Sequence, residues 1–197
     1  ISTYTPPDRI VHYHSENGLY NFGPALGMED YKELGDFDFG DTPGLYLTPL
    51  PGVAFSDLMV AMLSIQKVDF SFLGFLQVSE KGDLANFTRV PVGQLDWRAR
   101  QIANVGGGMD MVLRAKRVVA VGTHIGGKGE IKVLEKCTYP LTGAECVDTI
   151  ITDLAVIEVT QDGLLLKEIA SGWTVEEVQA LTEPKLIIAP DLKEIAV

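Results

Sequence analysis

The sequence predicts an α/β fold, an open and largely parallel sheet flanked by helices, in one domain over residues 1–197. Three observations carry this expectation. Strand-like and helix-like segments alternate along the chain, and several strand segments, 117–121 above all, are apolar throughout, as strands covered on both faces are. With 46% hydrophobic and 22% charged residues in 197 positions, the chain has enough apolar surface to bury a core, which excludes disorder as its main state. Sheets of this kind bind ligands at the carboxyl ends of their strands.

Taken in order, residues 9–14 are β-branched and aromatic after Pro6-Pro7, which predicts a strand ending in the turn Ser15-Glu16-Asn17-Gly18. Residues 23–52, with six Gly and four Pro, read as loop with room for a short hairpin. Leu58, Met62 and Ile65 share one helical face, so 54–66 reads as a helix capped by Ser56. A buried strand is expected over 68–78, closed by the polar turn 79–83. A second polar loop spans 91–104, and a short helix should start near Met109. Strands follow at 117–121, 131–134, 154–159 and 164–168. Thr174 and Glu177 form a capping-box pattern ahead of the apolar stripe Val175, Val178 and Leu181, so 174–181 reads as a helix before a last strand at 186–189.

Charge and composition exclude several functions. Sixteen Lys and Arg against 27 Asp and Glu leave a net charge of −11, the wrong sign for a polyphosphate track, and the densest basic run, Arg114 to Arg117, leads straight into an apolar segment. No nucleic-acid partner is expected. No apolar run reaches the roughly 18 residues of a membrane span, and no secretory signal precedes the first strand. Cys137 and Cys146 belong to no Cys-x-x-Cys pair and read as buried small hydrophobes. A reducing, cytoplasmic home is the expectation.

Few residues offer chemistry. Glu16 lies at a strand end, where Gly18 turns the backbone and leaves room for a ligand; it is a solvated turn carboxylate or a nucleophile, already ionised at neutral pH. Gly106-Gly107-Gly108 supplies three side-chain-free amides before a helix, either a flexible turn or donors for a developing oxyanion. The run from Gly122 to Gly129 reads as a hairpin turn, with Lys128 within reach of a phosphate as the alternative. His12 and His14 share a strand face without a third ligand, so no metal is expected. His124 has no placed Ser or Cys partner.

Four ordered stretches then combine. They are His14-Ser15-Glu16-Asn17-Gly18-Leu19; Leu73-Gly74 to Val78, running to Gly82-Asp83-Leu84-Ala85-Asn86-Phe87; Gly106 to Val112; and Lys136 to Gly143, running to Thr152-Asp153-Leu154-Ala155-Val156. Together they resemble the β (B) subunit of the family I coenzyme A transferases of 3-oxoacid, 3-oxoadipate or acetate type. The resemblance spans nearly the whole chain and implies the family's NagB-like fold.

It also implies transfer of CoA from an acyl-CoA to a free carboxylic acid, with Glu16 as nucleophile and Gly107 and Gly108 as the oxyanion hole. Ser15, Asn17, Gly18, Gln77, Asn86 and Lys128 are implied as substrate and CoA contacts, and Phe22, Phe75 and Leu76 as pocket walls. CoA thioester is substrate rather than resident cofactor. The implied partner is an α subunit, in a hetero-oligomer of α2β2 type. Family members carry a first strand and Gly-rich loop ahead of the stretch that begins here at Ile1, so the expectation is of a longer parent chain. The identity of the acid stays open. The alternatives are an acyl-CoA hydrolase on the same fold and a non-catalytic subunit that binds CoA esters or scaffolds its sister.

Overall fold

The structure, a computed structural model, describes residues 4–13, 19–22, 38–39, 42–43, 49–55, 68–94, 96 and 107–196. They group into two compact units, residues 1–66 and 67–197.

In the first unit, β1 (Leu19–Phe22) pairs antiparallel with β4 (Pro49–Phe55), and β2 (Asp38–Phe39) with β3 (Thr42–Pro43) in a minimal hairpin. The hairpin falls within the expected loop, whereas β4 replaces its last residues and the first two of the expected helix 54–66. Pro49 and Pro51 are compatible with β4 because each strand of a two-stranded ladder has a free edge that needs no N–H donor. Ser56 and the rest of the expected helix lie outside the described residues. The expected strand over 9–14 is corrected for 9–13, which are irregular: a turn closes through Arg9 N–H to Pro6 C=O, and Ile10 and Val11 are exposed. A β-branched pattern alone does not make a strand where no neighbour takes up its ladder. His14 is outside the described residues.

The second unit is built on a six-stranded sheet. Its strands are β5 (Phe70–Gly74), β8 (Arg117–Gly122), β10 (Thr149–Thr152), β11 (Ala155–Thr160), β12 (Gly163–Ile169) and β13 (Ile187–Glu194), in the spatial order β13-β12-β11-β10-β8-β5. β5, β8 and β10 run parallel, as do β12 and β13, while β11 is antiparallel to both neighbours. Parallel pairings outnumber antiparallel ones. The exceptions are dictated by connection length, because Asp153-Leu154 and Gln161-Asp162 are tight two-residue turns and a parallel return requires a long crossover. β10 was not legible in the sequence.

The expected single strand 68–78 is in fact two. β5 ends at Gly74, and β6 (Gln77–Ser79) joins a separate three-stranded sheet with β7 (Leu84–Ala85) and β9 (Val133–Leu134). The helices are α1 (Gly108–Arg114) and α2 (Val175–Ala180). α2 starts as expected, with Thr174 Oγ1 accepting from Glu177 N–H while the Glu177 carboxylate accepts from Thr174 N–H.

Val118, Ala120, Ile150, Ile157, Leu164 and Leu166 fill the core from the sheet, met by Val112 of α1 and Val178 of α2. β8 bears out the reading of 117–121, since Val118 and Val119 point to opposite faces and both are buried. The turn at 79–83 is closed by Ser79 Oγ donating to the Asp83 carboxylate at 2.8 Å and by Gly82 at φ +83°. A Cβ on Gly82 would also lie 2.7 Å from the Val147 carbonyl oxygen. Gly82→Ala is therefore expected to destabilise the fold by about 1–3 kcal/mol, read as a lower urea midpoint, because both backbone strain and overpacking act against it.

Candidate active site

Three of the four sequence stretches meet in the second unit. Leu84 accepts from Thr142 N–H at 2.7 Å and donates to the Gly143 carbonyl at 2.8 Å, which ties 82–87 to 136–143. Gly143 in turn lies against α1, where a Cβ would be 2.7 Å from a Val112 methyl. Asn86 and Thr142 thereby come to the start of α1. Thr142 Oγ1 donates to Asn86 Oδ1 at 2.5 Å, and a Cβ on Gly108 would lie 3.6 Å from the Thr142 methyl and 4.0 Å from Asn86 Nδ2.

Gly107 caps α1 and Gly108 is its first residue; both are buried. Gly107 C=O accepts from Met111 N–H, and the amides of Gly107 and Gly108 have no acceptor among the described residues. Helix-start amides have no intrahelical partner, and the Asn86 amide stands beside this helix start, so Gly107, Gly108 and Asn86 bring hydrogen-bond donors to one place. Glu16, Ser15, Asn17, Gly18 and Gly106 lie outside the described residues, as does the Phe22 side chain.

The remaining candidates are spread more widely. Phe75 is buried and Leu76 half-buried just beyond β5. Gln77 is buried, with its Oε1 accepting from Thr138 N–H at 2.8 Å and Tyr139 N–H at 3.1 Å, so its amide fastens the loop that leads to Thr142. Lys128 sits exposed in the hairpin turn the sequence predicted, closed by Gly126 N–H to Glu130 C=O. Its own amide donates to the Glu130 carboxylate at 2.9 Å, one of the backbone bonds that hold the Glu130 pKa down. Burial raises the pKa of Cys137 to about 12 and of Cys146 to about 11, which keeps both thiols protonated. Among the described residues no cluster of His, Cys, Asp or Glu could hold a metal, and no helix is long and apolar enough to cross a membrane.

Two residues at the strand ends were not legible as such. Gly74, Gly122 and Thr152 close β5, β8 and β10 at one edge. There Lys132, half-buried, donates from Nζ to the Thr123 carbonyl at 2.8 Å and stands 4.0 Å over the Phe75 ring. The available signal was a charged residue inside an expected strand, 131–134.

His124 is fully buried between Thr152 and Thr182, each hydroxyl 3.0 Å from a ring nitrogen. Thr152 Oγ1 accepts from Leu154 and Ala155 N–H and has two acceptors in reach of its proton, His124 Nδ1 at 3.0 Å and the Ala155 carbonyl at 3.2 Å. Nε2–H donates to Thr182, whose hydroxyl donates to Val178 C=O at 2.9 Å. The imidazole is neutral, and burial pushes its pKa below 6.5 against the pull of Asp153.

Comparison with known proteins fixes the lineage. No family profile matches the chain. The probable coenzyme A transferase β subunit of Bacillus subtilis is 37% identical over 192 residues, covering 95% of this chain and 82% of that protein. The chain belongs to the coenzyme A transferases. The B-type subunit of the 3-oxoadipate CoA-transferase of Acinetobacter baylyi is 39% identical over 194 residues, 96% of this chain and 83% of that one. A mitochondrial succinyl-CoA:3-ketoacid coenzyme A transferase of Mus musculus is 38% identical over 196 residues, which are 98% of this chain but only 35% of that protein.

Among solved structures, an acyl-CoA transferase apoenzyme of Escherichia coli O157:H7 superimposes with a TM-score of 0.65 at 18% identity, over 92% of this chain and 34% of that one. The decarboxylase AibA/AibB superimposes with 0.68 at 15% identity, over 99% and 74%. These last two share the fold. This CoA-transferase chain therefore has the α/β architecture its sequence predicted, and the enzyme class is that of transferases.

The bonding has measurable consequences at Gln77 and His124. Gln77→Leu strips the acceptor from two backbone N–H groups and should cost about 1–3 kcal/mol in urea unfolding. Because the folded-state pKa of His124 lies below the unfolded value, its contribution to stability is present above about pH 6.5 and is lost as pH falls, when the unfolded chain takes up the proton more readily. The unfolding midpoint should drop between about pH 7.5 and 5.5, and the drop should shrink in His124→Gln.

Proposed function

We propose that this chain is the catalytic β subunit of a CoA-transferase of the 3-oxoacid, succinate or acetate class, with Glu16 as its nucleophile. The observation that carries the reading is the 37% identity to a β-type transferase subunit over 95% of the chain. The donor cluster of Gly107, Gly108 and Asn86 supports it on physical grounds, since acyl transfer needs donors where negative charge develops on oxygen.

The Glu16 carboxylate attacks the thioester carbonyl; a C–O bond forms, the C–S bond breaks, and CoA leaves as thiolate from an acyl-glutamyl anhydride. The thiolate then attacks the glutamyl carbonyl, releasing the first acid and leaving a glutamyl-CoA thioester. The acceptor carboxylate repeats the sequence in reverse, displacing thiolate to form a new anhydride. Thiolate attack on the acceptor's acyl carbon then yields the new acyl-CoA and restores Glu16. No ATP or resident cofactor enters this balance. Each attack builds a tetrahedral oxyanion, which a well-placed amide N–H stabilises by roughly 3–4 kcal/mol.

Ser15, Asn17 and Gly18 shape the turn that presents the nucleophile in this reading. An α subunit completes the enzyme in a hetero-oligomer of α2β2 type, residues 1–197 act as one domain, and the complex works in the cytoplasm. Reduction with borohydride after acyl-CoA addition should convert Glu16 to the alcohol, located by peptide mass spectrometry, and Glu16→Ala should lower transfer by about a thousandfold or more. Parental transfer by Glu16→Ala overturns the mechanism. Release of free CoA at the same rate with and without acceptor acid would make the protein a hydrolase.

A further inference from the structure

We propose that Lys132 binds an anionic group of the substrate, either a carboxylate of the acid or a phosphate of coenzyme A, beyond the carboxyl ends of β5 and β8. This rests on the transferase reading and extends it to a residue outside the donor cluster.

The position of Lys132 suits a ligand contact. Parallel strands end their backbone on this edge, and it is here that open α/β sheets take ligands. The ends of β5 and β8 are glycines, Gly74 and Gly122, so main chain rather than side chain forms the rim. A Cβ on Gly122 would lie 3.3 Å from Lys132 Nζ and 3.2 Å from the Phe75 ring, so the missing side chain leaves the space that the ammonium and the aromatic share.

The ammonium is also incompletely bonded. Of its three N–H donors, one is used on the Thr123 carbonyl, and the Phe75 face offsets part of the desolvation. Among the described residues neither Lys132 nor its cationic neighbour Arg89 has a carboxylate within 4.0 Å. The nearby acids are already engaged by main-chain donors: Asp153 accepts from His124 N–H at 2.7 Å, and Glu130 from Lys128 N–H. Burial lowers the Lys132 pKa, Asp153 raises it, and Arg89 lowers it further, so two cations share one field. Half-burying an ammonium with no carboxylate in direct contact is costly. An arriving anion relieves that cost and gains a charge-assisted hydrogen bond. Exposed Lys128, in its hairpin turn, has no such arrangement.

In the chain assembled with its partner subunit, Lys132→Met should raise one KM by roughly ten- to a hundredfold while kcat stays within about threefold, and Lys132→Arg should recover most of the loss. A rise confined to the acid assigns a carboxylate; a rise confined to acyl-CoA assigns a phosphate. Both KM values within about twofold of the parent would overturn the proposal.

Should Lys132→Met not fold, reductive methylation of the unsubstituted complex, read at Lys132 by peptide mass spectrometry, gives the answer without a variant. Succinate or desulfo-CoA should protect Lys132 about fivefold or more, and equal labelling with and without both ligands overturns the proposal. Labelling needs no turnover. Protection in a protein whose Glu16 is dispensable would remove the glutamyl mechanism and keep this site, whereas a glutamyl adduct without protection would remove only this site.

Discussion

The junction of Leu84 with Thr142 and Gly143 is the contact on which the arrangement of the second unit depends. Three backbone hydrogen bonds join segments that are far apart in sequence. One partner carries Asn86 two residues on, the other presents the Thr142 hydroxyl, and Gly143 gives α1 a surface flat enough to approach. Gly107 and Gly108 could not stand beside an amide side chain if any of these three segments moved independently. Gln77 reinforces the junction by holding residues 138 and 139.

A second constraint operates at the ends of the parallel strands. There the polar groups form a closed network: neutral His124 links β10 to the end of α2, and Asp153 is held by the His124 amide. Satisfied buried polar groups fix one conformation, because each broken bond leaves a desolvated partner. Within that rigid surround Lys132 is the exception, a partly desolvated charge with donors to spare.

Much of the second unit was legible in the sequence. The capping box of α2, the turn at Ser79 to Asp83, the continuous apolar run of β8 and the hairpin around Lys128 all follow from local rules, and all are found. What failed had tertiary causes. The segment 68–78 reads as one mostly apolar strand, yet Phe75 and Leu76 divide it between two sheets, a choice made by neighbours absent from any local window. Residues 9–13 had strand composition, but among the described residues no strand pairs with them. At the candidate site, the glycine and asparagine positions were read from ordered motifs, whereas nothing in the spacing marked Lys132, whose half-burial is set by the fold.

The two-residue turns on either side of β11 impose a last restriction. Side chains in a strand alternate with a period of two, so one inserted residue at Asp153-Leu154 or Gln161-Asp162 would slide β11 and exchange its inner and outer rows. Ala155 and Ile157 would leave the interior and Glu158 would enter it. Length variation is left to the long connections between β5 and β8 and between β8 and β10, the first carrying Asn86, Gly107 and Gly108 and the second Lys132 and Thr142.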